Sequence, residues 1–456
     1  MPRRQFLSPA RAIVLGFLAA MVLGALALML PGVVQAGRPQ HNSLDALFQA
    51  TSAVCVTGLA VRDLADYTWF GQFLILLLIQ VGGLGILTTT KLLLLTQGRD
   101  LRLGDRDLVD ATFGSVRQIT PREVLRQTML FTLGCEVLGI LALAPVFIAD
   151  HGWSAGLWAA VFHSISAFCN AGFSLWSDNL GAYRAHGWVN GVICALVIAG
   201  GLGFVVVAEL VRYWRNRRAK PHGRRERLSL HSRTVLVTSL LLIVGGTAVI
   251  LVLEVFNSDT NTFAGDGLAA FFLSTSSRTA GFTTAPIDAL SQPSLLILMI
   301  LMFIGGSPGS TAGGVKTTTL ATLVALVFAR TRGRSEPELS GRTIGSGAVG
   351  KALATTAFMV SAVIVGTISL EIVEVGGSAH RAEAGPILDH AFEVVSALCT
   401  VGLSTGITTE LSPAGRFIII CCMIVGRLGP PLIAGAILAR NRPHAYVLPH
   451  EDLVIG

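Results

Sequence analysis

FQATSAVCVTGL at residues 48–59 returns, with changed letters in an unchanged frame, as FHSISAFCNAGF at 162–173, FFLSTSSRTAGF at 271–282 and FEVVSALCTVGL at 392–403. Each begins with Phe and, ten residues later, has Gly followed by Leu or Phe. The glycines are Gly58, Gly172, Gly281 and Gly402, separated by 114, 109 and 121 residues. Four such frames in one chain mark an internal duplication. Each apolar stretch is about ten residues long, too short to cross a bilayer and better read as a re-entrant half-helix.

Working outward, each frame lies between two longer apolar segments. The eight expected spans are 12–35, 71–95, 126–149, 188–212, 234–256, 294–327, 352–375 and 415–439. The unit is span, half-helix, loop, span. The expected fold is an all-α polytopic membrane protein of four covalently linked units, 1–98, 99–220, 221–334 and 335–456. Composition agrees. Of 456 residues only 13% are charged, against about 25% in soluble domains, while 52% are apolar and mean hydropathy is +0.66. Such a chain cannot cover a soluble surface. The apolar run from Ala12 to Met29 exceeds a signal-peptide core of about 7–15 residues, so it reads as a retained span.

The net charge of +7 does not point to nucleic acid, because its bases sit between spans. The stretches 91–126, 212–233 and 330–351 with the two termini hold 26 of the 34 Lys and Arg residues, which places both termini in the cytoplasm of a cell-membrane protein. All four half-helices then enter from outside. The basic stretches 99–126 and 212–233 suit a docking partner or anionic membrane lipids. Seven cysteines lie in or beside apolar stretches without a Cys-x-x-Cys pair, which argues against a zinc or redox site. Nothing in the chain suits covalent catalysis or an organic cofactor.

A half-helix ending at mid-membrane leaves carbonyls that cost several kcal/mol each unless they line a polar cavity. Four endings around one axis suit a dehydrated cation. Carbonyls of Val56-Thr57-Gly58, Asn170-Ala171-Gly172, Thr279-Ala280-Gly281 and Thr400-Val401-Gly402 would replace its hydration shell, and the helix C-termini add negative potential. Arg278 is expected behind this filter, holding the loop through carbonyls or an acidic group; Asn170 is expected to brace it through its amide. Acids on the outer face, Asp45, Asp63, Asp66, Asp178, Asp259, Asp266, Asp288, Asp389 and Glu410, either concentrate cations or form a solvated face. Glu136 and Glu254 have no assigned role.

These tetrads in four span-pore-span units resemble the Trk/Ktr/HKT superfamily of potassium transporters, and eight spans resemble its Ktr-type (KtrB-like) membrane subunit. The resemblance implies a pseudo-fourfold pore in each protomer, potassium (K+) as the transported ion when all four glycines are present, sodium (Na+) as a candidate coupling ion, a homodimer, and a cytosolic nucleotide-binding regulatory (KtrA-like RCK) ring. Serine in place of the first glycine goes with sodium transport in relatives, so Gly58 favours potassium.

Beyond each filter lies a second glycine cluster: 82–85, 200–203, 305–307 and 426–429. The first two read as close helix packing. The third opens Gly305-Gly306-Ser307-Pro308-Gly309-Ser310-Thr311-Ala312-Gly313-Gly314-Val315-Lys316, which cannot be a plain helix, since each Gly costs about 1 kcal/mol there and Pro about 3. It nearly matches a nucleotide-binding loop, but Val315 separates Gly314 from Lys316 and no soluble strand precedes it, which argues against an ATP-driven pump. The resemblance makes this segment a gating loop beneath the filter. Arg427, a lone charge in the last span, costs at least about 2.5 kcal/mol there, and the resemblance makes it an electrostatic barrier partnered with the loop. Gly305, Gly306, Ser307, Gly309, Ser310, Thr311, Gly313, Gly314, Lys316 and Arg427 are the expected gating residues.

Overall fold

The computed structural model describes residues 9–84, 121–219, 228–255, 266–376 and 386–437. Its helices are α1 (Pro9–Leu28), α2 (Ser43–Cys55), α3 (Trp69–Gly83), α4 (Pro121–His151), α5 (Trp153–Cys169), α6 (Gly187–Leu202), α7 (Phe204–Ala219), α8 (Leu230–Val255), α9 (Gly267–Ser276), α10 (Gln292–Phe303), α11 (Thr317–Thr331), α12 (Ser346–Glu374), α13 (Pro386–Leu398) and α14 (Pro413–Ile437). A two-stranded hairpin, β1 (Glu338–Leu339) and β2 (Arg342–Thr343), lies between α11 and α12, near the expected boundary at 334. The boundaries at 98 and 220 fall outside the described residues.

Among those residues, Thr128–His151, Leu230–Val255 and Ser346–Glu374 are each long and apolar enough to cross a bilayer alone. Their apolar side chains face outward, with Leu138, Leu141, Leu240, Leu241, Val365 and Ile372 all more than half exposed. Hydrocarbon, unlike water, accommodates such a surface. The first expected span begins as α1 but leaves the helix after Leu28, where a bridge joins Val34 to Tyr67.

Three of the four expected second spans are not continuous helices, and residues 85–95 of the first lie outside the described residues. α6 and α7 meet at an angle of 102°, because Gly203 between them takes φ 81° and ψ 147°. Only glycine enters that conformation cheaply. The packing role expected of 200–203 therefore holds for Gly200, while Gly203 breaks the helix. α10 and α11 are separated by 304–316, as the glycines there require, and α14 is kinked at Gly429 (φ 70°, ψ 162°).

The four frames lie at the ends of α2, α5, α9 and α13, which follow α1, α4, α8 and α12 in the chain. Asn42 caps α2 by accepting from Asp45 N at 2.7 Å, and Asp266 caps α9 by accepting from Ala269 N at 3.0 Å. Phe48, Phe162 and Phe392, the first residue of three frames, are fully buried, but in the third frame Phe272 is buried and Phe271 is not. In the third frame the buried phenylalanine therefore lies one residue nearer its glycine. Gly82, Gly200 and Gly426 each lie where a Cβ would strike the carbonyl of Val54, Phe168 and Leu398, the seventh residue of the neighbouring frame. Small residues let those backbones touch, the usual basis of helix association without water.

Candidate functional site

The chain reverses at the end of each short helix through one residue in the left-handed region. These are Val56 (φ 55°), Asn170 (59°), Thr279 (74°) and Thr400 (52°), and two residues later the filter glycines follow at 98°, 70°, 77° and 93°. Three are β-branched, for which this conformation is costly, on the order of 1–2 kcal/mol. In the first, second and fourth frames the reversal is a Schellman closure. Thr57, Ala171 and Val401 N–H donate five residues back to Ser52, Ser166 and Ser396 carbonyls at 2.8–2.9 Å. In the third frame Ala280 N donates four residues back to Ser276 O at 2.8 Å.

The four glycines form a closed ring. A Cβ on Gly58 would strike Ala171 O; on Gly172, Ala280 O at 2.8 Å; on Gly281, Val401 O; and on Gly402, Thr57 O. The ring runs in chain order and closes on itself, with the expected filter residues all meeting at one place. Thr57, Thr279 and Thr400 have buried hydroxyl oxygens without a hydrogen-bond partner. Such orphaned groups are uncommon in a folded interior and fit a polar ligand held between the strands.

Serines brace the ring from behind. Ser52 and Ser396 Oγ accept from Gly58 and Gly402 N at 3.1 and 3.0 Å, while Ser166 and Ser276 Oγ donate to Phe173 and Phe282 O at 2.8 and 2.5 Å. Sequence reasoning missed them, although serine is fifth in three of the four quoted frames. With its amide oxygen and nitrogen exchanged, the Asn170 amide nitrogen donates to the Ala167 and Val197 carbonyls at 3.1 and 3.2 Å. Arg278 replaces the cysteine of the other frames (Cys55, Cys169, Cys399) and points away from the ring. Its Nη2 donates to Gly305 O at 3.3 Å and to Ser239 Oγ at 3.4 Å. Carbonyl and hydroxyl partners, not an acid, receive its charge.

Beneath the ring lies the 304–316 segment. Ser307 N and Thr311 N donate to Gly201 and Gly200 O at 3.0 and 3.3 Å, and Thr311 Oγ1 donates to Phe168 O at 3.3 Å. On the other side a Cβ on Gly313 would strike Thr400 Oγ1 and come within 2.6 Å of Cys399 O. The segment therefore crosses from the second filter strand to the fourth. Lys316 Nζ donates back to Ala312 O at 2.7 Å, tying the segment's own turn. Arg427 Nη1 donates to Thr311 O at 2.7 Å and its Nη2 to Gly82 O, so one guanidinium pins the segment to the end of α3.

The family model described as TrkH, cation transport protein, matches residues 14–441. The chain belongs to this family. It is 36% identical to the potassium/sodium uptake protein NtpJ of Enterococcus hirae, covering 99% of this chain and 98% of that protein. It is 37% identical to the Ktr system potassium uptake protein B of Bacillus subtilis, over 93% and 91% of the two chains. The fold resembles the crystal structure of the potassium transporter TrkH from Vibrio parahaemolyticus, with a TM-score of 0.69 and 19% identity over 97% of this chain and 87% of that one.

Other residues singled out in this TrkH-family chain fall elsewhere. Asp45, Asp66 and Asp266 are held in ion pairs with Arg416 (2.6 Å), Arg38 (3.2 Å) and Arg184 (3.1 Å), and Asp178 accepts from Ala182 N at 3.0 Å. Asp259 lies outside the described residues. Glu136 accepts from Gln80 Nε2 at 3.0 Å, and Glu254 accepts from Ser291 Oγ at 2.9 Å at the start of α10. Both are joints between helices. The seven cysteines are free thiols, and no cluster of metal-ligating side chains occurs among the described residues.

Proposed function

We propose that this chain takes up potassium across the cytoplasmic membrane through a filter made of the carbonyls of residues 56–58, 170–172, 279–281 and 400–402. The observation that carries the reading is the closed ring of four glycines with orphaned threonine hydroxyls around it. A dehydrated monovalent cation is the ligand such oxygens suit, and carbonyl number and field strength set which ion is preferred. The family membership and the names of the relatives support the same ion. The driving force is the membrane potential, with sodium as the candidate coupling ion.

The full architecture belongs to this proposal: four repeats, eight spans, both termini cytoplasmic, two protomers, and a cytosolic nucleotide-binding ring acting on the gate. The 304–316 segment is the gate. It is hydrogen-bonded to the second and third units and held by a single arginine from the fourth, so a modest pull would release it. Arg427 both clamps it and opposes cation leak.

Rescue of a potassium-uptake-deficient bacterium tests the reading. The wild-type chain should restore growth at low potassium, with rubidium competing better than sodium, and Gly402→Ser should lose that preference. A wild-type chain that fails to rescue, or a Gly402→Ser chain with unchanged preference, overturns the proposal. The NtpJ name favours a second reading, sodium passage on the same fold, which predicts that sodium competes as well as rubidium.

A further inference from the structure

Asn179 touches two filter strands at once. It lies in the loop after the second filter strand, seven residues past Gly172. Its Nδ2 donates to Gly172 O at 3.4 Å, and its Oδ1 accepts from Thr283 N at 3.3 Å, two residues past Gly281. Leu180 N completes the seam by donating to Thr283 O at 3.0 Å. The backbone carbonyl of Asn179 is itself held, accepting from Ser174 Oγ at 2.9 Å, and Ser174 Oγ lies 3.0 Å from His163 Nε2 on α5.

The backbone of Asn179 has φ 59°. Asparagine is among the few side-chain-bearing residues enriched there, and its planar amide offers a donor and an acceptor together. Aspartate keeps the acceptor and loses the donor. Glycine keeps the backbone and loses both. A carbonyl has two lone pairs, so Gly172 O can receive the amide and still face an ion. A donor on one side fixes the direction of that oxygen and withdraws some of its field.

We infer that Asn179 is a positioning residue that sets the spacing between the second and third filter strands and thereby the preference among monovalent cations. The inference rests on the filter proposed above. It extends that filter to a side chain outside the four repeated frames.

The test measures rubidium uptake with sodium as competitor, comparing wild type, Asn179→Gly, Asn179→Asp and Gly172→Ser. The rubidium-over-sodium preference is a ratio and does not depend on how much protein folds. Asn179→Gly should lower it about five- to tenfold, chiefly through the KM for rubidium, with the maximal rate near wild type. Asn179→Asp, which sets a carboxylate against Gly172 O, should lower it further. If Asn179→Gly keeps the wild-type ratio within twofold while Gly172→Ser changes it, the role of Asn179 is overturned and the filter stands. If neither changes it, the filter reading falls with it. Should Asn179→Gly carry no measurable uptake, the same comparison is made on purified protein, as the thermal stabilisation by potassium chloride relative to sodium chloride. An unchanged ratio there also overturns the inference.

Discussion

The glycine ring and the helices that follow it are built under different rules. In the ring, four unlike sequences adopt one backbone: a left-handed residue, one more residue, then a glycine against the next strand. Among the described residues, the helices after the second, third and fourth frames each break differently. α6 turns through 102° into α7, α10 unravels over 304–316, and α14 kinks at Gly429. On the proposed reading, backbone carbonyls around one ligand demand equivalence, so a filter tolerates variation only in side chains. A gate needs the opposite. One crossing segment would occlude the axis, whereas four copies would compete for the same space.

The largest effect should come from breaking the symmetric half. A Cβ at Gly281 would fall on Val401 O in a backbone at φ 77°. Gly281→Ala should cut rubidium uptake at least about hundredfold, because the strained conformation and the collision act on the same strand. Gly16→Ala, with nothing within 4 Å of the new methyl, should leave uptake within twofold. Wild-type uptake by Gly281→Ala would refute the close ring.

Next comes the asymmetric half. Deleting Ser310–Gly314 removes the turn that lies against Cys399 O and carries the Thr311 carbonyl that Arg427 holds. Ion flux through the purified protein in liposomes should rise about tenfold, since an obstacle is withdrawn while the ring above is untouched. Flux that is unchanged, with the protein intact by size-exclusion chromatography, would mean that the segment is no gate.

A smaller change separates clamp from charge. Arg427→Ala should raise flux several-fold by freeing Thr311 O and Gly82 O. Arg427→Lys keeps the positive charge but cannot fork to both carbonyls. If the clamp matters, Lys behaves nearer to Ala; if only the charge matters, Lys behaves like the wild type. Stopped-flow flux assays at matched protein amounts distinguish the two. Flux that is the same in all three proteins removes Arg427 from the gate.

What could be read from the letters follows this division. The frames were legible because duplication repeats them, and the broken third unit because five glycines and a proline cannot be helical. The register of the third frame was not. FFLSTSSRTAGF offers two phenylalanines, and only packing reveals that Phe272, not Phe271, is the anchor. The bend at Gly203 and the kink at Gly429 were hidden because glycine within an apolar run reads equally as a packing site. The bracing serines were visible but silent, since a hydroxyl bonded to backbone leaves no periodic trace. The outer acids carried no signal of their pairing, for their arginine partners lie as far as 371 residues away in the chain.

The smallest expected effect lies at the rim, where the symmetric half meets solvent. His41 is buried beside the Tyr67 ring, with centroids 5.2 Å apart, and neither of its ring nitrogens has a partner. Burial first, and the nearby Arg62 second, lower its pKa from 6.5 to about 4, against a weaker opposing pull from Asp45. Between those two values the unfolded chain takes up a proton that the folded one refuses. Stability should therefore fall as pH drops from 6.5 towards 4, by on the order of 1–2 kcal/mol. His41→Gln should lessen that slope by the share that His41 contributes. Thermal melts of detergent-solubilised protein at half-unit pH steps measure both. Because Asp45 is also the partner of Arg416, the rim joins the first unit to the fourth. If His41→Gln leaves the slope intact, the acid-sensitive group lies elsewhere and the rim does not couple protonation to that seam.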